Sequence, residues 1–198
     1  MPENKQVLLE QIKADIIKNN ICPNLAREAK NLVMGDGNID AEIVIIGEAP
    51  GKKEDELGLP FMGAAGKFLN EMLDSAGMDR KDVFITNIVK YRPPNNRDPS
   101  KTEKEEFWPY LLRQLDIIQP KVVVTLGRHS MGYFLPQASI GDVHGQPSEV
   151  EIDSLKLTVV PLYHPAAALY NGSLRSTLID DFKKLPKIIN VLKNGKGE

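Results

Sequence analysis

The sequence predicts an α/β fold, three layers deep (α/β/α), with a central four-stranded parallel sheet covered by helices on both faces. Three observations carry this. Four short runs rich in β-branched residues, AEIVIIG (41–47), DVFITNIV (82–89), KVVVTLG (121–127) and LKLTVVPLYH (155–164), read as buried strands. Loops and helical stretches alternate with them, the rhythm that builds a parallel sheet. Glycine or a polar residue closes each strand (Gly47, Asn87, Gly127 and His164), which gathers the unusual chemistry at one rim of the sheet.

Taken in order, QVLLEQIKADIIKN (6–19) spaces Val7, Leu8, Ile12, Ile16 and Ile17 as an amphipathic helix. Residues 20–41, with Pro23, Gly35, Gly37 and several Asn and Asp, read as irregular connection. After the first strand the chain reads as loop as far as Phe61, and AAGKFLNEMLDSA (64–76) as a helix closed by Gly77. The second strand leads to a Pro/Asn/Arg loop over 90–101 and a helix over 102–118, with Thr102 and Glu105 as its capping box. A short helix near 128–135 follows the third strand. The fourth runs through a further loop into a helix from about 174 to 194. Residues 136–154 break the rhythm, as a small hairpin or an insertion. With no repeat, low-complexity tract or linker, residues 1–198 are expected to form one domain.

Composition narrows the function classes. At 41% hydrophobic the chain can build a core. Its longest apolar runs, IVII (43–46) and VVV (122–124), are far too short to span a bilayer, so no membrane is expected. The start, MPENKQ, carries no signal-peptide pattern, which points to the cytoplasm. One cysteine, Cys22, excludes an internal disulfide and a cluster held only by this chain's cysteines. A net charge of −2 argues against a nucleic-acid partner, unless the charge is unevenly placed.

The stretch GEAPGKKEDELGLPFMGAAG (47–66) is the most informative. A glycine-rich loop between strand and helix suggests phosphate binding, yet neither common phosphate-loop pattern fits it. Glu48, Glu54, Asp55 and Glu56 face only Lys52 and Lys53, a balance that suits a neutral ring and a cationic transition state better than a triphosphate. This run, then ITNIVK-x-RPPNNR-x-P, then HPAAAL, resembles the family 4 uracil-DNA glycosylases over roughly residues 22–192. The resemblance implies a uracil-DNA glycosylase-like fold and an enzyme that flips uracil out of DNA, hydrolyses its N-glycosidic bond and leaves an abasic site. No metal or nucleotide takes part in that chemical step.

Roles follow from the matching positions. Phe61 is the ring expected to stack on the flipped base. Asn87 is the reader of the uracil edge, since its amide can donate to O4 and accept from N3–H. His164 is the donor that stabilises the departing base at O2. Glu48, flanked by Gly47 and Ala49, positions water and offsets cationic charge on the sugar; Gly47 lets a ligand approach closely. Glu54 shapes the pocket near uracil C5. In the rigid 90–97 loop Arg92, Asn96 and Arg97 offer contacts to the DNA backbone, and Leu169 is the first choice of wedge, with Tyr170 second. His129 and His144 fall outside the motifs and read as structural or surface residues.

One departure qualifies the resemblance. The family usually holds a [4Fe–4S] cluster with four cysteines, and here the four positions read Cys22, Leu25, Tyr91 and Phe107. Only one thiolate ligand remains, so no cluster is expected, and Leu25, Tyr91, Phe107 and Trp108 should fill the space as a small apolar core. The objection from net charge is met locally. Residues 80–101 (Arg80, Lys81, Lys90, Arg92, Arg97 and Lys101 against Asp82 and Asp98) and the five lysines of 183–198 form two basic stretches. These restore DNA, single- or double-stranded and containing uracil, as the expected partner. The expected state is a monomer, cytoplasmic and associated with the nucleoid through DNA. The alternatives are a catalytically weakened uracil-DNA binding protein and a phosphate-binding enzyme with a convergent loop. Covalent trapping through a histidine is rejected, because RPPNNRDP contains none.

Overall fold

A computed structural model describes residues 4–194. Its strands are β1 (Asp36–Gly37), β2 (Ile43–Gly47), β3 (Phe84–Asn87), β4 (Val122–Leu126), β5 (Ser148–Ile152) and β6 (Leu155–Leu162). They lie in one sheet in the order β1-β3-β2-β4-β6-β5. The four central strands are the four read from the sequence, and β3, β2, β4 and β6 run parallel. The sheet is wider than expected, because short antiparallel strands β1 and β5 close its two edges. The irregular 136–154 region contributes the β5–β6 hairpin, which turns at Asp153 in the left-handed conformation.

The helices are α1 (Lys5–Lys18), α2 (Pro23–Glu28), α3 (Lys52–Leu57), α4 (Ala64–Ser75), α5 (Lys101–Ile118), α6 (Arg128–Phe134), α7 (Ile140–Val143), α8 (Pro165–Tyr170), α9 (Ser173–Phe182) and α10 (Leu185–Asn194). Alternate strand residues feed two cores, one on each face of the sheet. Val44, Ile46, Val123 and Val159 pack with α1, α2 and α5. Ile43, Ile45, Val124 and Leu162 pack with α4, α9 and α10. This is the three-layer arrangement.

Several elements differ from the sequence reading, each for a local reason. Residues 20–41 include α2 and β1, too short for periodicity to register. The supposed loop before Phe61 contains α3, whose residues KKEDEL show no apolar face and which stops at Gly58 in the left-handed conformation. Helix α5 is capped by Ser100 and Glu103, not Thr102 and Glu105. Both pairs fit the same spacing, and the reciprocal bonds form only at the first. The loop after His164 is helix α8, started by Pro165. The single carboxyl-terminal helix is two, α9 and α10, parted at Lys183–Lys184.

Of the first helix's apolar residues, Ile12 and Ile16 are buried while Val7 and Ile17 are exposed. The chain passes from β2 to β3 on one side and then to β4 on the other. A crevice therefore opens beyond the carboxyl end of β2, where Glu48 follows.

Candidate active site

The crevice is a pocket of about 440 Å³, lined among others by Glu48, Glu54, Phe61, Asn87, Asn96 and His164. Strand pairing sets its floor. Gly47 is registered against Asn87, and Ile88 and Val89 donate to the carbonyls of Gly47 and Glu48. A Cβ at Gly47 would overlap Asn87 Oδ1 and come within 2.7 Å of Phe61 Cζ, so glycine is what lets those two side chains meet. Asn87 is only 2% exposed, and its Oδ1 has no hydrogen-bond partner. An unpaired buried amide oxygen is costly unless a ligand satisfies it.

Phe61 is buried, and its backbone lies in the left-handed region at φ +52°. That conformation is unfavourable for a bulky residue and needs support. Arg80 supplies it, donating to the carbonyls of Pro60 at 2.7 Å and Phe61 at 3.3 Å. Glu54 supplies more: its Oε1 accepts from the backbone N–H of Met62 and Gly63 at 2.7 and 2.8 Å. The His164 ring stacks on Phe61 with centroids 5.9 Å apart. His164 also caps α8, its Nδ1 accepting from the Ala166 N–H at 3.1 Å. That bond leaves the ring proton on Nε2, as a donor. Burial, with His129 nearby, pushes the imidazole down to about 4, so the ring is neutral at neutral pH.

The acidic loop is mostly structural, contrary to its reading as a site for a cationic transition state. Buried Asp55 accepts from the N–H groups of Lys30 and Asn31, and Glu56 pairs with Lys53 at the surface. Among the loop's acids only Glu48 keeps a buried oxygen, Oε1, without a hydrogen bond, although Lys104 Nζ and His129 Nδ1 each stand 3.6 Å from it. Burial pushes its carboxyl above the usual range, with Lys104 opposing.

Basic residues are also redistributed. Lys90 is fully buried, not part of a DNA-facing surface, and Arg80 points inward to the Phe61 loop. Arg92 donates to Asn96 Oδ1, and Arg97 makes a two-pronged pair with Glu103. In the carboxyl-terminal stretch Lys183, Lys184 and Lys193 each pair with an acid, while Lys196 and Glu198 lie outside the described residues. Tyr170, 92% exposed, lines the pocket; Leu169, 49% exposed, sits beside it on α8.

The sequence reading missed Lys104, Arg128 and His129, which cluster around Glu48. His129 carried a signal, standing two residues past the end of the third strand at the shared rim. Lys104, inside a helix, carried none.

At the four cluster positions, Cys22, Leu25, Tyr91 and Phe107 are buried in the same core. The Tyr91 and Phe107 rings meet edge to face at 5.8 Å. Trp108, partly buried, packs against the same core through Tyr133 and Phe134. The Cys22 thiol donates to the Glu103 carbonyl, and burial with Glu106 beside it pushes its pKa up, so it stays protonated. One protonated thiol beside Leu25, Tyr91 and Phe107 does not supply the thiolates an iron–sulfur cluster needs.

The carboxyl ends of the parallel strands thus bring an aromatic wall, an amide oxygen without a partner and a neutral imidazole to one pocket at the switch point. The uracil DNA glycosylase superfamily model matches residues 34–193, and the chain belongs to that superfamily. Among its relatives are proteins named type-4 uracil-DNA glycosylase. One from Sulfurisphaera tokodaii is 48% identical over 186 residues, covering 91% of this chain and 84% of that protein. Another from Archaeoglobus fulgidus is 46% identical over 185 residues, covering 91% and 92%. A third, from Thermotoga maritima, is 40% identical over 190 residues, covering 93% and 96%.

Proposed function

We propose that the protein is a monofunctional uracil-DNA glycosylase of base-excision repair, a hydrolase that takes uracil from DNA and leaves an abasic site. The observation that carries this reading is the unpartnered Asn87 Oδ1 facing a pocket walled by Phe61 and His164. The nucleotide leaves the stack and its base enters beside Phe61. Asn87 accepts from uracil N3–H and donates to O4, an order that cytosine cannot match. The bond between C1′ and N1 breaks with its electron pair going to the base, and the neutral His164 Nε2–H donates to the negative charge gathering on O2. Glu48 orients a water for addition to C1′ and offsets the cationic sugar. The proton released by that water ends on the departed base.

Glu54 acts through the backbone it fixes at Met62 and Gly63, setting the wall near uracil C5. Arg92, Asn96 and Arg97 serve the DNA backbone, Arg97 on leaving Glu103, and Leu169 fills the vacated stack with Tyr170 beside it. The chemistry needs no cofactor. The partner is uracil-containing DNA, single- or double-stranded, bound by a monomeric single domain over residues 1–198. No helix among the described residues is long and apolar enough to cross a membrane. The proposed setting is the cytoplasm, at the nucleoid.

The test is excision on oligonucleotides carrying U, hypoxanthine, xanthine or T, read by strand breakage in hot alkali. Wild type should cleave at U, with His164→Ala and Asn87→Ala strongly impaired. Wild-type rates in both variants would misplace the pocket. Binding without any strand break would make the chain a uracil-DNA binding module.

A further inference from the structure

Glu48 stands among charges brought by separate elements. Lys104 Nζ, from the first turns of α5, lies 3.6 Å from its Oε1. His129 Nδ1, from α6, lies 3.6 Å from the same oxygen. On the far side of that ring, Asp98 Oδ2 is 3.6 Å from His129 Nε2. Arg128 completes the set at longer range. Glu48, Asp98 and His129 could by spacing alone hold a cation. An ammonium already stands against the shared carboxylate, however, and a second cation there would be repelled.

Of the neighbouring cations, Lys104 is the one committed to this site. Its side chain is only 12% exposed, against 86% for Lys101 one turn earlier, which pairs with Glu105 out at the surface. His129 is pushed below its ordinary range by burial and by Lys104, and brings no dependable positive charge at neutral pH. Burial favours the protonated form of Glu48, and Lys104 is the largest influence opposing it. A protonated Glu48 could neither orient water through a carboxylate nor offset a cationic sugar.

We propose that Lys104 is a positioning residue that acts through Glu48, holding its carboxylate charged and facing the pocket, and does not contact DNA itself. This rests on the reading of Glu48 as the water-orienting acid. Asp98 opposes Lys104 across the His129 ring, so the charge on Glu48 is set by the balance of α5, α6 and the 90–99 loop.

The experiment is single-turnover excision of uracil from an oligonucleotide between pH 5 and 9.5, with DNA affinity measured alongside. Lys104→Met should move the acid limb of the rate profile upward by ~1–2 on the pH scale. The rate should fall about 10-fold near pH 6 and recover towards wild type at pH 9. Lys104→Arg should keep the wild-type limb. In a Glu48→Gln background Lys104→Met should cost less than about 2-fold further, because the group it acts through is gone. Should Lys104→Met fold poorly by circular dichroism, Lys104→Gln makes the same comparison. An acid limb that stays in place overturns the proposal, as does a loss that persists in the Glu48→Gln background or tracks DNA affinity. Wild-type excision by Glu48→Gln alone would instead sink the underlying role of Glu48.

Discussion

At Gly47 a single methyl group decides whether the pocket exists, because it would overlap Asn87 Oδ1 and press on the Phe61 ring. Gly47 lies in extended backbone that alanine adopts freely, so Gly47→Ala should fold yet lose excision by at least ~10²-fold, the scale of a misplaced reacting group. A melting temperature within a few degrees of wild type, measured with the excision rate, separates a blocked pocket from a broken fold. His164 makes a second prediction. Its folded pKa, about 4, lies below the unfolded value of 6.5, so the unfolded chain takes up a proton first as pH falls. The contribution is complete above 6.5 and is lost towards 4. Melting temperature should therefore drop less between pH 6.5 and 4.5 in His164→Ala than in wild type. The excision rate of wild type should show no His164 limb near 6.5, while His164→Ala costs ~10²–10³ in rate. A rate that halves near pH 6.5 and moves with this substitution would contradict a neutral donor.

Between strands and helices, the junction behind Asn87 is built around a buried lysine. Lys90 Nζ donates to Thr86 Oγ1, the Asn87 carbonyl and Gln114 Oε1 at 2.7, 2.7 and 2.6 Å, so each of its three protons has an acceptor. Thr86 and Gln114 both donate on to the Met34 carbonyl, tying β3, α5 and the irregular segment leading into β1 together. Burial lowers the lysine from 10.5 to about 7, so above pH 7 the unfolded chain binds the extra proton. Stability attributable to Lys90 therefore rises with pH from about 7 towards 10.5. Urea midpoints of wild type relative to Lys90→Met should climb between pH 7 and 8.5. A constant difference would show that the amine does not titrate there.

This junction also marks how far the sequence can be read. The four central strands announce themselves through apolar runs, and Asn87 and His164 through their places at strand ends. Lys90 looked like part of a basic surface, because a lysine's burial depends on acceptors from residues 3 to 24 positions away. Asp55 looked like part of an acidic pocket loop, because its backbone N–H partners at Lys30 and Asn31 leave no trace in the letters. Helices α2, α3 and α8 are six residues each, shorter than two turns, and periodicity cannot resolve them.

For the molecule as a whole, the question is what joins the amino-terminal helices to the sheet when the family's usual metal ligands are gone. Leu25 and Phe107 are fully buried, Cys22 and Tyr91 nearly so, and all four share one core with Ile12, Ile16 and Leu111. The positions that would have held a cluster are therefore occupied by continuous packing from α2 through Tyr91 to α5. Packing of this kind is sensitive to volume. Phe107→Ala removes a fully buried ring and should cost ~3–5 kcal/mol, read as a lower urea midpoint with an unchanged slope. The same reasoning predicts a fold indifferent to iron. Protein purified without oxygen should carry no stoichiometric iron and no cluster absorbance near ~400 nm, and its melting temperature should not respond to a chelator. A chelator-sensitive melt would mean that metal, rather than the Tyr91–Phe107 contact, fastens this corner. It would also predict that Phe107→Ala is mild, so the two measurements together leave only one account standing.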